Sequence, residues 1–187
     1  MKLLDWIPLE RLDWSGLSRN PSEGAIALLE QNPDKINWEY LSANPNDRAL
    51  DLLEANMDKI IWPALSINSN DRALDLLEAN LDKIFWMNLS SNTNNRAIAL
   101  LEANPDKIDW YWLSANTNDR ALKLFEKNID NINWSWLSRK PSIFAEDYLS
   151  LSKKRMEILR EELMAATWHP DRFTKWCLDT TDEFYES

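Results

Sequence analysis

Apolar and polar positions return in one fixed order every 24 residues. In the unit that opens at Ile36, apolar residues stand at 36, 38 and 41, then at 49, 50, 52 and 53, and the next unit opens at Ile60. The second group has the spacing of a helix face rather than the alternation of a strand. Trp38 and Leu41, three apart, fit one face of a shorter helix. A tryptophan marks the same point in every unit, at Trp14, Trp38, Trp62, Trp86, Trp110 and Trp134, with no insertion or deletion between them. Such a period identifies a stacked repeat in which each unit leans on its neighbours.

Start and stop signals divide the unit. Asn44 is the expected N-cap of the longer helix, with Pro45 at its first position and Asp47 completing a shortened capping box. The first repeat gives the fuller form in Asn20-Pro21-Ser22-Glu23. Asn56, with Asn32, Asn80, Asn104 and Asn128 at the same place, is expected in a left-handed C-terminal turn. Asn37, Asp109 and Asn133 are placed to cap the short helix. The predicted unit is a short helix, a tight turn, a longer helix of about three turns and a second turn. Ala25, Ala49, Ala73, Ala97, Ala121 and Ala145 predict close helix approach. The indoles are expected inside, each removing ~150–250 Å² from water.

The fold class predicted is all-α: an α-solenoid of short/long helix hairpins with an N-terminal and a C-terminal cap. A leucine-rich repeat shares the period, but its apolar residues alternate, whereas Trp38, Leu41 and Asn44 step by three. Residues 1–13 read as an abbreviated N-terminal cap and 14–152 as six repeats. Residues 153–187 read as a helical C-terminal cap with an acidic tail, all in one continuous domain. In the sixth repeat Lys140 replaces the framework Asn, Ser150 the framework Glu and Ser152 the terminating Asn. An amphipathic helix is expected over 153–167, with Met156, Leu159, Leu163 and Ala166 on one stripe, and a last short helix from Pro170 to Leu178.

Charge narrows the functions. The 187 residues carry 31 acids and 21 bases, a net charge of -10. No basic stripe is present, so neither nucleic acid nor an anionic membrane surface is an expected partner. Asp5 and Pro8 interrupt the N-terminal apolar run too early for a signal peptide, and no stretch reaches the ~20 apolar residues of a span. Cys177, the single cysteine, fits a reducing compartment.

Candidate chemistry is sparse. His169 is the sole histidine, with no nucleophile to activate, and with Cys177 it supplies only part of a zinc ligand set. Asp34, Asp58, Asp82, Asp106 and Asp130 form a ladder, but layers ~10 Å apart are too far for one calcium ion. They are expected to bond backbone N–H groups in turns. Arg48, Arg72, Arg96 and Arg120 form a second ladder, expected to pair between repeats, with the Asp58 ladder as the suggested partner. The expectation is therefore no catalytic residue, no cofactor and no metal. The positions after each framework tryptophan vary freely, as recognition residues on a fixed frame do. Tyr40, Met87, Tyr111, Trp112 and Trp136 are the candidate protein-binding residues. Tyr111, Trp112 and Trp136 form either an exposed patch or a surface covered by the helix at 153–167.

The unit Ile-x-Trp-x-x-Leu-Ser-x-Asn-Pro, followed by Leu-Leu-Glu-x-Asn-Pro-Asp-Lys, resembles a tandem-repeat family of giant DNA viruses. The junction Leu100-Leu101-Glu102-Ala103-Asn104-Pro105-Asp106-Lys107-Ile108-Asp109-Trp110 states the motif. The tail Trp168-His169-Pro170-Asp171-Arg172-Phe173 is similar to the ending such proteins carry. The resemblance implies a viral protein in the host cytoplasm or the virion, and implies no catalytic activity. The expected function is a non-enzymatic protein-interaction or scaffold module, its partner an unidentified protein. The alternative is a structural building block that associates with further copies of itself.

Overall fold

The structure, a computed structural model, describes the backbone of residues 3–144 and 148–167 and the side chains of 3–144 and 153–164. The expectations for Ala145, Ser150, Ser152, Ala166, His169, Cys177, the helix from Pro170 and the acidic tail lie outside the described side chains or residues. The chain gathers into two compact units, Met1–Ile143 and Phe144–Ser187. Every regular element among the described residues is helical, and the repeats pack in a row: an all-α repeat solenoid.

Each of the first four repeats has three helical pieces rather than two. In the second repeat these are a short helix Trp38–Ser42, a longer helix Asp47–Glu54 and a 3₁₀ turn Met57–Lys59. The long helix has 8 residues here and 9 in Asn95–Ala103, so it makes a little over two turns instead of three. It is short because its cap lies later than expected. Asn46, not Asn44, is the N-cap, its Oδ1 accepting the Arg48 N–H at 2.8 Å. Asn70, Asn94 and Asn118 repeat this, and Ser22, not Asn20, caps the first long helix. The far end also differs. No described residue has positive φ. Asn56 sits at φ -137, and its Nδ2 donates to the Leu52 carbonyl at 2.8 Å, satisfying a helix-end acceptor by side chain instead of by a left-handed turn. The short-helix caps are as expected at Asn37, Asp109 and Asn133.

Asn44 does something else. It is buried, and its Nδ2 donates to the carbonyls of Ser18 (2.9 Å) and Asn20 (3.1 Å) in the preceding repeat, while its Oδ1 accepts from Asn46 N–H. Asn68, Asn92 and Asn116 reach back in the same way, so one side chain per layer joins adjacent backbones. A serine column completes the join. Ser42 Oγ donates to Trp38 O at 2.7 Å and accepts the Ile61 N–H of the next repeat at 3.0 Å. These buried polar groups are costly unless paired, and stacking is what pairs them.

The core is aliphatic. Leu41, Ala49, Leu50 and Leu53 of the second repeat are fully buried, with Ile36 almost so, and the same columns run through the following layers. The columns of Ala25, Ala49, Ala73, Ala97 and Ala121 are buried as expected, letting successive helices approach. The tryptophans are not interior. Trp14, Trp38, Trp62, Trp86 and Trp110 are half-buried against the flank of the core. Lys59 lies over the Trp38 ring at 4.7 Å and Lys83 over Trp62 at 4.6 Å, so an amphipathic ring keeps one side on leucine and offers the other to a cation. Trp134 is 58% exposed.

Toward the start of the chain, the 3₁₀ turn Leu9–Arg11 precedes Trp14 as Pro33–Lys35 precedes Trp38, and Asp13 caps the first short helix. The N-terminal segment thus ends on the last third of a repeat. Toward the other end the pattern weakens. The fifth long helix is divided into a 3₁₀ turn Asp119–Ala121 and a helix Leu122–Lys127. The sixth short helix keeps only Trp134–Leu137, and the 3₁₀ turn Pro141–Ile143 follows it. In the second unit the helix runs Tyr148–Thr167, opening five residues before the expected start, with Met156, Leu159 and Leu163 exposed.

Candidate functional site

The short helices stack on one another from repeat to repeat and form one continuous face of the first unit. The positions that vary between repeats lie on it. Tyr40, Met87, Tyr111 and Trp112 are exposed, as a recognition surface requires. Trp136 is half-buried. Tyr111 meets Trp112 edge-on at 5.5 Å and Trp136 at 6.1 Å, so three of the five candidate residues form one cluster. The Arg139 guanidinium lies over the Trp136 ring at 4.7 Å. Tyr40 sits apart from that cluster. It borders a groove of about 540 Å³ whose walls include Ile61, Pro63, Ala64, Ile67 and Asn88.

Ile61, Ile67 and Phe85 join this face although none of them stands directly after a framework tryptophan. Two of them are informative for where they stand. The N-cap of the short helix is Asp13, Asn37, Asp109 or Asn133 in four repeats, each bonding the helix's free N–H groups. In the third and fourth repeats the same place holds Ile61 and Phe85, which make no such bond. An apolar residue at an N-cap costs about 1 kcal/mol against Asn or Asp. The side chains stay 39% and 50% exposed, so the burial they gain is partial and about offsets that cost. Folding therefore gives this pair of residues no clear advantage over a capping Asn or Asp. The signal was in the sequence, as a break in the column of capping residues.

The arginine ladder is committed to carboxylates of the neighbouring repeats. Arg72 Nη2 bonds Glu54 at 2.8 Å and Asp51 at 2.9 Å, both of the preceding repeat. Arg96 bonds Glu78 and Asp75, Arg120 bonds Glu102, and Arg48 bonds Glu30 and Glu23. Pairing between repeats was expected, but the partners are these glutamates and long-helix aspartates, not the Asp58 ladder. Hydrogen bonds to the carboxylates raise all four guanidinium pKa values, and those from Asn46 and then Arg48 lower that of Glu23. The Asp58 column is exposed and does not cap its 3₁₀ turn, contrary to expectation; Asp34 and Asp106 stand beside Lys35 and Lys107 at 3.5 Å.

Among the described residues no cluster of three or more His, Cys, Asp or Glu is spaced to hold a metal ion, and no helix is long and apolar enough to cross a membrane. Comparison of the chain with protein-family profiles, with curated proteins and with solved structures finds no match in any of the three.

Proposed function

We propose that the chain is a non-enzymatic protein-binding module whose recognition surface is the short-helix face. The reading rests on one observation: Ile61 and Phe85 forgo a cap in adjacent repeats and stay exposed. Exposed apolar and aromatic side chains on a rigid frame are the usual anchors of an interface. Tyr40, Met87, Tyr111 and Trp112 extend the same face. The resemblance to repeats of giant DNA viruses supports a scaffold or adaptor acting in an infected host's cytoplasm or in a virion.

Ile61→Asn with Phe85→Asp separates binding from folding. It restores both caps, so the double variant should melt at the same temperature as the parent or higher, by about 1 kcal/mol per cap. Peptides selected on the parent chain from a random library should bind the double variant at least about tenfold more weakly. Undiminished binding would overturn the assignment. Sedimentation equilibrium identifies the partner class: mass that rises with concentration in the parent and not in the double variant would make the partner a second copy of the chain.

A further inference from the structure

Lys140 stands at the framework position of Asn44, Asn68, Asn92 and Asn116. Those asparagines are buried and make three hydrogen bonds each. The Lys140 ammonium is buried too, yet Nζ has no hydrogen-bond partner among the described residues. It rests over the Phe125 ring, 5.1 Å from its centre. Burial pushes the amine's pKa down, with Asp119 pulling the other way. A ring face compensates a buried cation only in part, and a buried nitrogen without a partner needs a reason.

The surroundings supply one. Lys140 lines a cavity of about 350 Å³ together with Thr117, Asp119, Trp136, Arg139 and Ser142. Arg139 lies flat on Trp136. Neither cation makes an ion pair among the described residues, whereas Arg48, Arg72, Arg96 and Arg120 are all committed to carboxylates. The cavity therefore has a planar guanidinium, a lysine on a flexible stem, two hydroxyl side chains and an aromatic wall. Guanidinium and ammonium together recognise oxyanions. Asp119 limits the charge: two cations against one carboxylate leave one positive charge to be neutralised, which suits a monoanion better than a dianion.

We propose that this cavity is a binding site for a carboxylate attached to an apolar or aromatic body. The carboxylate bridges Arg139 and Lys140, whose Nζ swings off Phe125 to meet it, and the apolar body lies along Trp136 and Pro141. The site does not depend on the short-helix face being an interface, since neither Ile61 nor Phe85 lines it.

The test uses the full chain with benzoate as the probe, in chloride buffer of matched ionic strength. Benzoate should raise the melting temperature, and in a lysine-labelled sample it should move the Lys140 amine titration to higher pH, because a bound anion favours the ammonium form. Lys140→Met should weaken benzoate binding about tenfold or more, the loss of one charge-assisted hydrogen bond. Lys140→Asn guards against misfolding. It restores the framework residue, so it should melt no lower than the parent and still ignore benzoate. Equal stabilisation of the parent, Lys140→Met and Lys140→Asn by benzoate would overturn the site. Tighter binding of inorganic phosphate than of benzoate would overturn the carboxylate assignment.

Discussion

The third and sixth repeats place Asn68 and Lys140 at the same framework position, and their contrast shows what holds the solenoid together. Asn68 commits both of its amide donors and its carbonyl oxygen to the backbone: two donations to the carbonyls of Ser42 and Asn44, and one acceptance from Asn70 N–H. It is 1% exposed, and nothing about it is available to a ligand. The Lys140 ammonium is also tucked in, but among the described residues its nitrogen bonds nothing. Around it the elements shorten and the tryptophan of the repeat comes out to solvent. In the middle of the stack, this asparagine is structural because the backbone of the preceding repeat and of its own turn satisfies it. In the sixth repeat the same position is released from that duty and is free to take up chemistry.

The largest effect should come from breaking the join. Asn68→Ala orphans two buried carbonyls and one N–H and should cost about 3 kcal/mol in urea unfolding, while Lys140→Ala should cost less than about 0.5 kcal/mol. Equal losses would mean that the two positions carry the same load. Next come the rings. Trp38→Ala should cost about 2 kcal/mol, less than for a fully buried indole, and Trp134→Ala less than about 1 kcal/mol. Calorimetry that ranked Trp134 above Trp38 would contradict the flank packing described for the inner repeats.

Lys140→Asn sharpens the contrast through pH. The folded pKa of Lys140 is depressed below its ordinary 10.5. The penalty on the charged form is thus full below the folded value and gone above the unfolded one. The variant should be about 1 kcal/mol more stable than the parent at pH 7, and the gap should narrow as pH rises toward 10.5. A gap that is flat over that range would remove the ammonium from the explanation. The smallest effect belongs to the exposed ladder. Arg96→Ala, losing Asp75 and Glu78, should cost under about 1 kcal/mol and less still in high salt.

The period, the helical class, the caps at Asn37, Asp109 and Asn133 and the pairing of arginines between repeats were all legible in the spacing of residues. The role of Asn44 was not. An asparagine before a helix has the same local signature whether it caps that helix or reaches to a backbone 24 and 26 residues away, and only stacking supplies the second set of partners. The 3₁₀ turn at Met57–Lys59 was hidden for a related reason. Asn56 ends the long helix through its side chain, so no left-handed residue is needed and the chain winds on at once. Constancy between repeats does not by itself put an indole inside. A ring held between leucine and a lysine ammonium is equally constant. Of the candidate surface, Tyr40, Met87, Tyr111 and Trp112 followed from variability, whereas Ile61 and Phe85 stand out only as apolar members of a column that is otherwise polar and capping.

The asparagine and serine bonds between layers join adjacent units and reach no farther. Duplicating any inner 24-residue segment would recreate every donor and acceptor at both new junctions, whereas adding 23 or 25 residues would put them out of step. The chain is therefore built to be lengthened or shortened by whole units during evolution or by design, with the span of its short-helix face changing in the same increments.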